Sequence, residues 1–177
     1  MDDAPLLDVL LGRAEPSGRE AAALAACLDS PLWVDAVMEG VPYRDADALL
    51  ASADAAARAL PREAVLAALQ AHGRIGEAAG GDGDSARMSR AEQSGIATDE
   101  ATRQRLAEGN AAYEARFGHV FLLRAAGLGE EEVLEALERR LDHDPGVELQ
   151  VAGDQLRQVA LLRQVALLRL QVQLSSA

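Results

Sequence analysis

Hydrophobicity in this chain never alternates with period two for long. Apolar residues return every three or four positions, between recognisable helix starts and stops. That pattern leaves helix as the only building block. Pro5–Leu11 opens on proline and closes at Gly12, and Ser17-Gly18-Arg19-Glu20 reads as a capping box for a helix through Leu24 and Leu28. Ser30-Pro31 starts a helix that stops at Gly40, Asp45 starts one carrying Leu49, Ala53 and Ala57, and Pro61 starts one running to His72. Thr98-Asp99-Glu100 opens a longer helix ending at Phe117-Gly118. Gly129-Glu130-Glu131 opens another, ended by Pro145, and Glu148 to about Gln173 reads as a single long helix. Val120–Ala126 is apolar enough to be strand or helix, and its helical surroundings favour helix. The expectation is an all-α, single-domain bundle over 1–177, of about eight to nine helices with a long C-terminal one. A flexible glycine-rich loop is expected at about 78–88.

Composition excludes more than it selects. With 49% hydrophobic and 26% charged residues the chain is ordinary for a globular protein, and with 3% aromatics its core must be aliphatic. No apolar run approaches the roughly 20 residues of a membrane span, and Met1-Asp2-Asp3 lacks a signal-peptide pattern, so the expected setting is the cytoplasm, with no membrane partner. A net charge of −12 argues against a nucleic-acid partner. The single cysteine, Cys27, falls in a helical pattern and is expected to be buried and inert. There is no lysine, which removes Schiff-base chemistry and a Walker A phosphate loop. Positive charge at any site must come from arginine, whose planar fork suits carboxylates and amide edges.

Two features bracket the glycine-rich segment. His72 is the type of side chain that titrates near neutral pH, and Ser89-Arg90-Ala91-Glu92-Gln93 brings a carboxylate. Each also has a purely structural explanation: His72 as a cation closing a helix, Ser89–Glu92 as a capping box. Glu100 and Glu131 read as first-turn carboxylates. His119 and His143 fall in loops and are expected to be solvated. Three histidines without ligand spacing make no metal site. The last helix holds a direct repeat, Arg157-Gln158-Val159-Ala160-Leu161-Leu162-Arg163 followed by Gln164-Val165-Ala166-Leu167-Leu168-Arg169, whose six-residue step is not a solenoid period.

Taken in order, these residues resemble the 2-oxo-4-hydroxy-4-carboxy-5-ureidoimidazoline (OHCU) decarboxylases, which act third on the route from urate to allantoin. The resemblance lies in Leu69-Gln70-Ala71-His72-Gly73-Arg74-Ile75-Gly76, in Ser89–Gly95, in Asn110-Ala111-Ala112-Tyr113, and in Phe117-Gly118-His119-Val120-Phe121. It continues through the spacing to Glu148 and Leu162-Arg163. Upstream, Cys27–Ser30 with Trp33, Pro42-Tyr43 and Leu49-Leu50 also fit.

The resemblance implies a cofactor-independent decarboxylase, a carboxy-lyase that yields (S)-allantoin and CO2 from a small-molecule substrate, with a homodimer as one assembly open to it. By the same resemblance His72 is the catalytic histidine, with Glu92 beside it. Gly73, Ser89 and Gln93 hold the substrate. Phe121, Leu122, Leu123, Arg124 and Ala125 form a segment whose backbone contacts the ligand, and Arg163 grips its anionic side. Arg169, followed by Leu170 like the family's Arg-Leu pair, is the rival should the repeat shift the register. Gly73 departs from the family's proline; glycine there loosens the turn after the histidine and puts efficiency or substrate in question more than reaction class. Two other readings stay open: a diverged member acting on or binding a related ureido or imidazole acid, and a non-enzymatic acidic helical interaction domain.

Overall fold

The computed structural model describes residues 6–72 and 100–174, with side chains as far as residue 168. Among the described residues there are eight helices and no strand: α1 Leu6–Leu10, α2 Glu20–Cys27, α3 Pro31–Glu39, α4 Ala46–Arg58, α5 Arg62–Gln70, α6 Glu100–Phe117, α7 Glu130–Leu141 and α8 Pro145–Leu174. The glycine-rich loop expected at about 78–88 lies outside the described residues. The chain gathers into two compact units, Met1–Val65 with Arg157–Ala177, and Leu66–Leu156.

In the first unit α1 packs on α2, α2 on α3 and α3 on α4. Asp45 caps α4 by accepting from the Ala48 N–H at 2.8 Å, as its position predicts. Pro31 takes the first turn of α3, where its missing N–H costs nothing. The capping box at Ser17 forms only in part. α2 starts at Glu20, whose carboxylate accepts from the Ser17 N–H at 2.8 Å and the Gly18 N–H at 2.9 Å, while the Ser17 hydroxyl donates to the same carboxylate. Leu10, Leu24, Leu28, Trp33, Val37 and Leu49 are fully buried, and Cys27 with them. Trp33 donates its indole N–H to the Ala53 carbonyl at 2.9 Å, which fixes α3 on α4. Arg157 of α8 donates to Asp54 of α4 at 2.5 Å.

The second unit is built on α6 against α7. Leu106, Tyr113, Phe121, Val133, Leu134 and Leu137 form its core, with Phe117, Leu123 and Leu128 packed on the outside. Gly109 permits the close approach, since a Cβ there would sit 2.4 Å from Leu137 Cδ2. α6 ends at Gly118, whose φ of 76° is the left-handed stop that glycine takes without strain.

Two expectations are corrected here. Residues 120–125 are not helical and have no regular secondary structure. Their backbone is held by side chains instead: Arg140 Nη1 donates to the Leu122 carbonyl at 2.7 Å, and the Arg124 N–H donates to Gln155 Oε1 at 2.8 Å. Pro145 does not end α7, which stops at Leu141; it is the first residue of α8. A fixed φ and an absent N–H suit that position as well as they suit a stop.

Candidate active site

His72 follows the end of α5 and is half-buried. Its Nδ1 lies 2.8 Å from the Ala68 carbonyl oxygen, one turn back. A carbonyl only accepts, so Nδ1 carries the proton and Nε2 holds the basic lone pair of the neutral ring. Gly73, Ser89, Glu92 and Gln93 lie outside the described residues.

The 121–125 segment is placed by its own apolar side chains and by a buried polar cluster. Phe121, Leu122 and Ala125 are buried, Leu123 is half-buried and Arg124 exposed. Beneath them Arg140 donates Nε to Glu148 Oε1 at 2.8 Å and Nη2 to the same oxygen at 2.5 Å, while Nη1 takes the Leu122 carbonyl. The guanidinium lies 4.7 Å from the centroid of the Phe121 ring. Tyr113 donates its hydroxyl to Glu148 and accepts from Arg140 Nη2 at 3.1 Å. His143 Nδ1 lies 2.7 Å from the second carboxylate oxygen of Glu148. Glu148 is 0% and Arg140 3% exposed, so each charge depends on the other. Burial pushes the Tyr113 hydroxyl well above its ordinary value, and its bond to Glu148 pushes the same way.

Arg163 is buried on α8, beside Gln164, which is fully buried as well. Arg169 lies in the same helix. A surface groove of 370 Å³ is lined by Arg105, Glu108, Ala112, Leu134, Leu137 and Leu141, none of them a residue to which the sequence reading gave a functional role.

The model of the OHCU decarboxylase family matches residues 13–164. The chain belongs to that family. As an OHCU decarboxylase family member it is 29% identical over 140 residues to the 2-oxo-4-hydroxy-4-carboxy-5-ureidoimidazoline decarboxylase of Haloferax volcanii, covering 76% of this chain and 79% of that one. It is 38% identical over 106 residues to the uric acid degradation bifunctional protein TTL of Arabidopsis thaliana; the match takes in 58% of this chain and only 33% of the plant protein. Its fold is that of a crystallised OHCU decarboxylase in the presence of (S)-allantoin, with a TM-score of 0.71, 24% identity, and coverage of 82% of this chain and 96% of that one. It also matches the crystal structure of an (S)-allantoin synthase at a TM-score of 0.69 and 22% identity, over 93% of this chain and 54% of that one.

Within this family member, sequence reasoning placed two histidines wrongly and missed one arginine. His119, expected in solvent, is 4% exposed and packs its ring 5.5 Å from that of Tyr113. His143, expected in solvent, is paired with Glu148. Arg140 carried no signal of its own: Arg139-Arg140 reads as a basic last turn of a surface helix. The usable hint was that Tyr113 and Glu148, which flank it in the sequence, are both positions of the family resemblance.

Proposed function

We propose that the chain is a cofactor-independent carboxy-lyase converting OHCU to (S)-allantoin and CO2 in urate degradation. The observation that carries this reading is the family match over 13–164, a span that includes every residue assigned a role here. Nε2 of His72 removes the proton of the substrate hydroxyl and afterwards returns one to carbon. The bond from C4 to the carboxylate breaks, CO2 leaves, and the electron pair passes into the adjacent C5=N bond, whose nitrogen is protonated; the hydroxyl carbon then becomes the ring carbonyl as C5 takes the proton from His72 on one face. Glu92 orients His72 or the ureido nitrogens, and Gln93 and Ser89 hydrogen-bond the polar edges of the ring. Gly73 offers its backbone where the family has proline. Arg163 pairs with an anionic oxygen; with 4% of its surface exposed, the guanidinium is little screened by water.

The segment Phe121-Leu122-Leu123-Arg124-Ala125 supplies backbone contacts. Three of its groups, the Leu122 and Ala125 carbonyls and the Arg124 N–H, are already committed to the protein. Ligand contact therefore falls to the others. The proposed setting is the cytoplasm, in keeping with a single cysteine that is buried and with the absence, among the described residues, of a helix long and apolar enough to cross a membrane. A homodimer is the assembly proposed, on the family resemblance.

The test supplies freshly made urate-oxidase product and the hydrolase that precedes this step, then follows the circular dichroism of allantoin. Optically active allantoin forming faster than without the protein is the expected result. Racemic product at the spontaneous rate refutes the activity.

A further inference from the structure

An irregular stretch inside a helical protein has no backbone ladder to hold it. In residues 120–125 the task falls to side chains from the two following helices, and one guanidinium does most of it. Arg140 directs one edge at the Leu122 carbonyl and another at Glu148 Oε1, and its carbon lies 4.7 Å from the Phe121 ring centroid. A planar five-donor fork pinned at two edges has no rotation left. Gln155 holds the far end of the segment through the Arg124 N–H.

A buried ion pair is poor value as a stabiliser, because apolar residues of the same volume serve equally well or better. What they cannot supply is a donor aimed at one carbonyl.

We propose that Arg140, locked in plane by Glu148, is a positioning residue for substrate binding: it sets the path of residues 121–125 and so the aim of the backbone groups that meet the ligand. This rests on the role given to that segment under the proposed function. Arg140 itself touches no substrate. The segment contacts ground state and transition state alike, so loss of its placement falls mainly on KM.

The test compares four proteins in the allantoin assay, in calorimetry with (S)-allantoin and in thermal unfolding. They are the wild type, the Tyr113→Phe/Arg140→Met/Glu148→Leu triple variant, Arg140→Lys and Tyr113→Phe. The triple variant removes the charges together and leaves the Leu122 carbonyl without its donor. It is expected to unfold within a few degrees of the wild type, yet to lose about 10- to 100-fold in kcat/KM, carried by KM, with a matching loss of (S)-allantoin affinity. Tyr113→Phe, which leaves the Leu122 contact in place, is expected to keep the wild-type KM. A folded triple variant with wild-type KM overturns the inference. Should the triple variant fail to fold, Arg140→Lys is decisive: the charge opposite Glu148 remains, the fork is gone, and a wild-type KM there overturns it equally. An inactive wild type overturns the proposed function instead, so the two failures are distinct.

Discussion

The Nδ1 of His72 lies 2.8 Å from the carbonyl oxygen of Ala68, one turn back along the chain. Because that bond fixes the proton on Nδ1, the nitrogen able to accept one is Nε2. His72→Asn keeps a donor near the place of Nδ1 and removes Nε2. Turnover in the allantoin assay is expected to fall by about 10²–10⁴-fold, with the helical spectrum and thermal midpoint retained. Wild-type turnover in His72→Asn or His72→Ala contradicts the assigned role.

Some helix starts and stops were legible in the sequence because they are local. Asp45 accepts from a backbone N–H three residues away, Gly118 needs only its own φ, and Pro31 only its own missing donor. Residues 120–125 were not legible. Their apolar run carries no period, and the side chains that hold their backbone, Arg140 and Gln155, stand 18 and 31 positions away from the backbone atoms they bind. Arg140 and Glu148 were missed as a buried pair for a related reason. Arginine and glutamate are rarely buried, and only the folded core shows that each supplies the other's counter-charge. His119 failed the same way: a loop position says nothing of the aromatic rings of Tyr113 and Phe117 that close over it.

Gln164 offers a stability test. It is fully buried, and among the described residues neither end of its amide has a hydrogen-bond partner. Its neighbours one turn away on the same helix, Ala160 and Leu168, are buried and apolar. Gln164→Leu removes two unsatisfied groups at similar volume and is expected to stabilise the protein by about 1–3 kcal/mol, read from the denaturant midpoint. A lower midpoint refutes the claim that the amide is unpaid for in the native state.

Acid stability follows from two carboxylates. The hydrogen bond from Arg157 holds Asp54 below its ordinary value; burial works against it, and Arg58 adds to the lowering. Burial raises Glu20, but the N–H groups of Ser17, Glu20 and Gly18 together with the Ser17 hydroxyl outweigh it, so this carboxyl is lowered too. Groups with depressed folded values contribute stability that is full above the unfolded values of 3.8 and 4.5 and is lost as pH falls through the folded ones. Thermal midpoints are therefore expected to be insensitive to these groups near neutrality and to drop below about pH 4.5. Asp54→Asn is expected to lower the neutral midpoint and flatten the acid limb. An unchanged acid limb refutes the coupling of Asp54 to Arg157. At the other extreme, the raised Tyr113 hydroxyl keeps its contribution below pH 10 and loses it only as pH climbs through the higher folded value.

The repeat in α8 makes the substrate arginine a question of register. Arg163 and Arg169 close two successive copies of the same hexapeptide, so local sequence alone does not separate them. The family match runs to residue 164, taking in the first arginine and stopping short of the second. Arg163 is buried, as a guanidinium that meets an anion away from water must be. Arg163→Ala is expected to cost about 100-fold or more in kcat/KM and to weaken (S)-allantoin binding in calorimetry, with Arg169→Ala the milder of the two. Arg163→Lys tests the fork itself: it keeps the charge, loses the paired donors and is expected to fall between the alanine variant and the wild type. Thermal midpoints taken alongside separate lost grip from lost fold. If Arg169→Ala suffers the greater loss while Arg163→Ala binds (S)-allantoin normally, the second copy of the hexapeptide holds the substrate and the assignment moves six residues along the helix.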